Sequence, residues 1–214
     1  KKLEYEPDSH TSIADYFGYK AEKEDKLNKY EYNFLTGKFK IDQLNTIDDS
    51  KSIEDFCRKL NPKKICPLLI IKPEVHPFKD KSCEKVTTGD LRLLKKWVSV
   101  WASVGASVGD SVRTSVGDSV WASVGDSVWA SVGASVGDSV RDSVRASAWA
   151  SVGDSVRAYI SSFFKIKYKF DFSCSVKLWN KGIVPSFDGK TWRLQGKGGK
   201  ILKEITVDEL RKVK

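Results

Sequence analysis

The chain has 214 residues, with 37 Lys and Arg against 28 Asp and Glu, a formal net charge of +9. That length allows one good core or two small ones, but the tandem array from Ser99 to Ala158 offers only Val and small side chains for burial. The longest uncharged, apolar-leaning run, Trp97 to Gly109, falls short of the ~20 residues a membrane-spanning helix needs, and no apolar segment follows Lys1 and Lys2, so neither a membrane span nor a signal peptide is expected.

Charge is unevenly placed. Residues 1–98 carry 20 basic and 17 acidic side chains, residues 99–158 carry 4 and 6, and residues 159–214 carry 13 and 5. The basic excess of the last quarter fits plain solubility or an anionic partner such as nucleic acid. Cys57, Cys66, Cys83 and Cys174 are scattered without close pairs, which favours free thiols in a reducing, cytoplasmic setting. A zinc site from Cys57, Cys66, His76 and Cys83 would lack the short gaps of structural zinc motifs, so no metal or other cofactor is expected.

In chain order, Tyr5, Tyr16, Phe17, Tyr19, Tyr30, Tyr32 and Phe34 give the first segment most of its apolar surface, and Thr36-Gly37 predicts a turn into a short strand holding Phe39 and Ile41. Ser52 and Asp55 suggest a capping box for a helix with Ile53, Phe56, Cys57 and Leu60 on one face, stopped by Asn61-Pro62. Ile65 to Ile71 is an apolar run that reads as a buried strand. Thr88-Gly89-Asp90 opens a second helix with Leu91, Leu93, Leu94 and Trp97, placed to cap the array that follows.

The array consists of fifteen copies of Ser-Val-x-y, with Ala148 the one departure from Val in the second place. In an α-helix four residues turn about 400°, so the Val row drifts about 40° per copy and winds around the rod. Seven glycines at roughly 0.8–1 kcal/mol each also weigh against one straight helix. A β-solenoid, with Val stacked inward and Ala or Asp near the corners, is the preferred expectation, and a long repeat α-helix the alternative. The fold class expected is thus α+β flanks around a central tetrapeptide-repeat β-solenoid, divided into an N-terminal α+β domain (1–98), the array (99–158) and a basic β-rich C-terminal domain (159–214).

Beyond the array, Lys165 to Phe172 alternates strictly and is the clearest strand by pattern, with Ile166, Tyr168, Phe170 and Phe172 on one face and Lys165, Lys167, Lys169 and Asp171 on the other. Asp188-Gly189 and Gly196 to Gly199 predict turns of an antiparallel meander through Thr191–Leu194 and Ile201–Ile205, and Thr206 with Glu209 caps a last helix.

The third place of the repeat is only Gly, Trp or Arg, three residues whose codons differ in the first base. Interchange among such unlike side chains implies a solvent-facing site. The plain account is drift at a permissive position; the functional one is a surface row of Trp101, Trp121, Trp129, Trp149, Arg113, Arg141, Arg145 and Arg157 that binds a protein partner or a second copy.

The array, its exit Ala158 to Phe164, Leu178-Trp179 and the stretch Gly182 to Leu194 resemble a group of uncharacterised microbial and phage-associated proteins with Ser-Val-x-y repeats. The resemblance covers roughly Pro67 to Leu194 and implies no activity or site. The array is also distantly similar to pentapeptide-repeat solenoids, whose coil geometry does not transfer to a period of four.

Catalytic patterns are missing. His10 and His76 sit in charged segments expected to be exposed, no Gly-x-Ser-x-Gly elbow occurs, and Gly196-Lys197-Gly198-Gly199-Lys200 lacks the spacing of a phosphate-binding loop. The expectation is a non-enzymatic repeat scaffold. The alternative is nucleic-acid binding by Lys165, Lys167, Lys169, Arg193, Lys197 and Lys200, with Tyr168 and Trp192 available for stacking. The plainer account, which the pattern favours, is a solvated strand face with its aromatics in the core, since strict alternation sends the lysines and Tyr168 to opposite faces.

Overall fold

Four residues overshoot one α-helical turn by about 40°, and the protein contains that drift by dividing the array into separate helices and by a π segment within the longest run. The computed structural model describes residues 14, 18–19, 26–34, 36–45, 47–116, 118–141 and 149–214. Before the array lie strands β1 (Lys29–Asn33) and β2 (Lys38–Gln43) and helices α1 (Ser50–Lys59), α2 (Pro62–Ile65) and α3 (Thr88–Val98). The array forms α4 (Val104–Val116), α5 (Asp118–Val128), a π-helical segment (Trp129–Gly133), α6 (Ala134–Arg141) and α7, which runs from Trp149 past the last repeat to Ser161. After it come α8 (Ser173–Asn180), strands β3 (Val184–Phe187), β4 (Thr191–Gln195) and β5 (Ile201–Thr206), and α9 (Val207–Arg211).

The expected β-solenoid is therefore not formed, and neither is the alternative of one long repeat helix. In α4 the consequence of drift is visible residue by residue: Val104, Val108 and Val112 are fully buried, whereas Val116, three tetrads on, is only half-buried. The chain then turns. Trp121 lies against Gly109, 3.9 Å from where a Cβ would stand, although a continuous helix would separate the two by about 18 Å. From Asp118 to Arg141 the path is longer, yet Val124, Val128, Val132, Val136 and Val140 all stay buried. The π segment explains this. A π turn holds more residues than an α turn, so a tetrad there falls short of a full circle and takes back accumulated drift.

Propensity misjudged the glycines because burial and close packing outweigh it. Each fully buried Val is worth roughly 1.5–3 kcal/mol, against about 1 kcal/mol lost per helical glycine. Gly133 also admits Val156 of α7 to 3.3 Å from its would-be Cβ. Helix α7 is the hub: it packs on α4, α5, α6, α8 and β3.

The constant serines serve as a polar row on which extended segments dock. Glu74 accepts hydrogen bonds from Ser127 and Ser131, and His76 pairs with Ser135 at 3.1 Å. On α7, Ser155 donates to the Pro185 carbonyl at 3.3 Å and Ser151 accepts from the Phe187 amide at 2.8 Å, which ties β3 to the array.

The C-terminal meander forms as expected, in the antiparallel order β3-β4-β5, with Phe187 opposite Trp192 and Trp192 opposite Ile205. Trp101 packs edge-on to Trp192 at 5.6 Å and closes this cluster from the array side. The capping boxes Thr87/Asp90 and Thr206/Glu209 are present. That proposed for Ser52/Asp55 is not: α1 begins at Ser50 after Asp49, which makes no side-chain cap. The buried core runs without interruption from Leu69 to Leu210 and draws on both flanks and the array.

Two expected strands are corrected. Ile65 closes α2 and the rest of the run to Ile71 contributes only an isolated bridge, Leu69 to Phe164, while Lys165 to Phe172 joins no sheet and bends at Lys169–Phe170. Its alternation is genuine: Lys165, Lys167, Lys169 and Asp171 are exposed while Ile166, Tyr168 and Phe170 are half-buried and Phe172 is buried. Alternation reports that one face packs; it does not supply a neighbouring strand. Among the described residues no helix is long and apolar enough to cross a membrane.

Candidate functional site

The array's variable places are less open than their chemistry suggested. Trp101 and Trp121 are half-buried, and Gly109, Gly133 and Gly153 are buried, so the idea of a uniformly solvent-facing third place is overturned. Trp129 keeps 36% of its surface exposed while its indole lies over Gly133 and reaches Gly153. Arg157 is exposed and paired with Asp154 at 3.0 Å; Arg113 is exposed as well. Arg141 closes α6 and Trp149 opens α7, with side chains outside the described set, and Arg145 lies outside the described residues.

His76 is a second departure from expectation, since it is buried at 6% exposure; His10 lies outside the described residues. Its Nδ1 accepts the Phe78 amide at 3.2 Å, which places the ring proton on Nε2 and makes it the donor to Ser135 Oγ. A base for serine would need the reverse polarity. Asp80 bonds the His76 backbone amide at 2.7 Å and leaves the ring alone, and burial pushes the imidazole pKa down. This geometry docks a loop on a helix; it does not activate a nucleophile. Cys57, Cys66, Cys83 and His76 do not converge, and no metal-ligating cluster occurs among the described residues.

One cleft with room for a ligand lies where α7 ends; another, of about 640 Å³, lies against α1 and is lined by Asp48, Asp49 and Asp55 beside Lys51 and Lys59. Tyr159 stacks on Trp179 at 4.8 Å, its hydroxyl accepts the Val75 amide at 2.7 Å, and Trp179 Nε1 donates to the Val75 carbonyl at 2.8 Å, so the segment around Val75 is clamped between α7 and α8. Two backbone bonds, Ile70 N to Phe163 O and Lys165 N to Leu68 O, both 2.7 Å, then launch the chain outward. From Ile166 to Phe170 the backbone makes no hydrogen bond among the described residues. This segment wraps a cleft of about 500 Å³ lined by Ser162, Ile166, Tyr168, Phe170, Phe172 and Val176, among others.

The aromatic wall is ordered from behind. Tyr168 donates to the Ser161 carbonyl at 3.1 Å and meets Phe172 edge-on at 6.0 Å, and burial raises its phenol pKa strongly. Phe170 stands 6.4 Å from Phe172, with Lys169 Nζ 5.5 Å from its ring centre. Around the cleft, Lys165, Lys167, Lys169 and Lys177 are exposed, and Lys177 and Lys96 lie near Asp171. Among the described residues none of these lysines is paired with a carboxylate. Asp171 is engaged at the start of α8, where hydrogen bonds from Ser173 hold its carboxyl below the usual range.

Of the six predicted nucleic-acid residues only Lys169 lines the cleft, and Lys165 and Lys167 lie exposed on the segment that bounds it. Arg193 is committed to Asp188 at 2.6 Å and Glu204 at 2.7 Å, and Trp192 is buried. Lys197 and Lys200 flank a turn seated on Ser139 of α6 and line no part of the cleft. Sequence reasoning missed Phe170 as cleft wall and Lys72, whose ammonium donates to Ser162 Oγ at 2.7 Å from a point 90 residues away in the chain. The Lys-aromatic alternation did signal the wall, but nothing in the sequence linked Lys72 to it. No protein-family model matches the chain, and neither curated proteins nor solved structures give a significant match.

Proposed function

We propose that this chain is a non-enzymatic binding protein for single-stranded nucleic acid, with the cleft of residues 161–176 as its binding site. The observation that carries this is the run from Lys165 to Phe170, without backbone pairing among the described residues from Ile166 on, whose outward side is lysine and whose inward side is an aromatic cleft wall. Where backbone is extended alternate residues lie about 6.6 Å apart, a spacing at which Lys165 and Lys167 can each meet a separate phosphate. The ring of Phe170 offers a stacking surface for an unpaired base, a contact worth roughly 1–3 kcal/mol and tolerant of sequence. Free cysteines support a cytoplasmic setting for such a protein.

Binding to a second protein through the array's Trp and Arg places rests, among the described residues, on Trp129 with Arg113 and Arg157. The two functions separate in one experiment. Fluorescence anisotropy with a mixed-sequence single-stranded oligonucleotide at low salt is expected to show binding that weakens as salt rises. Changing Lys165, Lys167 and Lys169 together to Glu should abolish it, and changing them to Gln should lower the salt slope by about 2. No binding at low salt, or binding indifferent to the triple change, overturns the proposal.

A further inference from the structure

Lys72 differs from the other lysines around the cleft. Lys165, Lys167 and Lys169 reach into solvent, whereas the Lys72 stem lies half-buried and its ammonium is fixed by three contacts: Ser162 Oγ at 2.7 Å, the Phe163 ring centre at 4.5 Å and the Tyr159 ring centre at 5.6 Å. Ser162 is itself a wall residue of the cleft. Its hydroxyl donates to the Tyr159 carbonyl at 2.6 Å, so it is held in orientation to accept from Lys72. Among the described residues no carboxylate balances the Lys72 charge. A partly desolvated cation without a counter-ion is costly, and here burial pushes its pKa down.

We infer that Lys72, held by Ser162, is a discrete phosphate-binding point at the edge of the cleft, so that one nucleotide unit is gripped at two places, its base against Phe170 and its phosphate on Lys72. This rests on the nucleic-acid reading for its ligand but stands on different residues. An incoming phosphate oxygen would supply the missing negative charge and take up ammonium protons that Ser162 does not use. The exposed lysines give attraction without register. A cation fixed beside the cleft positions the backbone relative to the base.

The test uses the full chain, the oligonucleotide (dT)10 and inorganic pyrophosphate as probes. Lys72→Met keeps the stem over Phe163 and removes the charge. It is expected to weaken (dT)10 binding about tenfold and to lower the salt slope by about 0.7, with Lys72→Arg restoring most of the affinity and the melting temperature little changed. Pyrophosphate should compete with (dT)10 on the wild-type chain and much less on Lys72→Met. If (dT)10 binds but neither affinity nor slope responds to Lys72→Met, the phosphate point is refuted and the cleft proposal survives. If (dT)10 does not bind while pyrophosphate does so only with Lys72 present, the phosphate point stands and the nucleic-acid function falls. Binding of neither probe removes both. Should Lys72→Met fail to fold, amide shifts of Ser162 and Phe163 on adding pyrophosphate to the wild type decide: movement supports the site, and none overturns it.

Discussion

The repeat helices and the C-terminal meander share one core, yet they fix their register by opposite means. In the meander each pairing is unique: Phe187 stacks on Trp192 at 4.7 Å, Arg193 reaches Glu204 and Asp188 at once, and the Asp188 side chain accepts from the amides of Lys190 and Thr191 to set the turn. In the array every tetrad offers the same Ser and all but one the same Val, so a partner displaced by four residues would find nearly identical contacts. Something outside the constant places must choose. At some copies the third place does so: Gly133 stands where Val156 comes close, and Trp129 fills the space over Gly133 and Gly153, whereas Gly105 and Gly125 face open space. A repeat sequence thus needs its irregular positions, and its non-repeating neighbours, to specify one structure.

The contrast can be broken most forcefully where the two regions meet. Gly199, at φ +77°, brings the β4–β5 turn so near α6 that an added Cβ would lie 2.0 Å from the Ser139 carbonyl oxygen. Gly199→Val should cost more than about 3 kcal/mol by chemical denaturation, because backbone strain and a backbone clash add. A loss below 1 kcal/mol would show that meander and array are not docked this way.

A finer cut separates two copies of one repeat place. Gly133→Arg should destabilise by about 2 kcal/mol, since a Cβ there would stand 3.0 Å from the Trp129 indole and 3.3 Å from Val156. Gly125→Arg, with nothing within 4 Å, should be neutral or gain up to ~1 kcal/mol from helix propensity. Equal effects at the two positions would return the third place to simple drift.

The smallest effect concerns pH and the meander alone. Hydrogen bonds from the Thr191 amide, Arg193 and the Lys190 amide hold the Asp188 carboxyl at about 2, below its unfolded value. A depressed carboxylate stabilises fully above its unfolded pKa of about 3.9, and that contribution is lost as pH falls toward 2. Asp188→Asn should flatten the acid limb of stability between about pH 4 and pH 2 and leave the array's helical signal at neutral pH intact. An unchanged acid limb would contradict the role given to this turn.

How much of this was legible in the sequence varies by element. Local signals with a specific chemistry survived: the Asp188-Gly189 turn, the Thr206/Glu209 cap, the helix opening near Thr88. The array misled because its propensities were summed as if for one rod, whereas separate helices, and a π segment within the longest helical run, absorb the drift that a plain rod cannot. Lys165 to Phe172 misled in the other direction: its alternation fixed which side packs, but the partner strand it implied is not there. Within the candidate site, the lysine face was readable and Arg193 was misassigned, because only folding shows that Asp188 and Glu204 already hold it.

The sequence by itself determined that Ser and Val would carry the array, since no other places are constant, and that the C-terminal quarter would be basic. Tertiary structure alone decided that the Val row turns inward on helices, that serines receive the chain around Glu74 and His76 and the strand β3, and that Lys72 arrives beside Ser162. The physical reason is the same in each case. Period and composition state what a segment can bury or bond, but which surface receives it depends on contacts between residues far apart in the chain, and those exist only once α7 has gathered its neighbours.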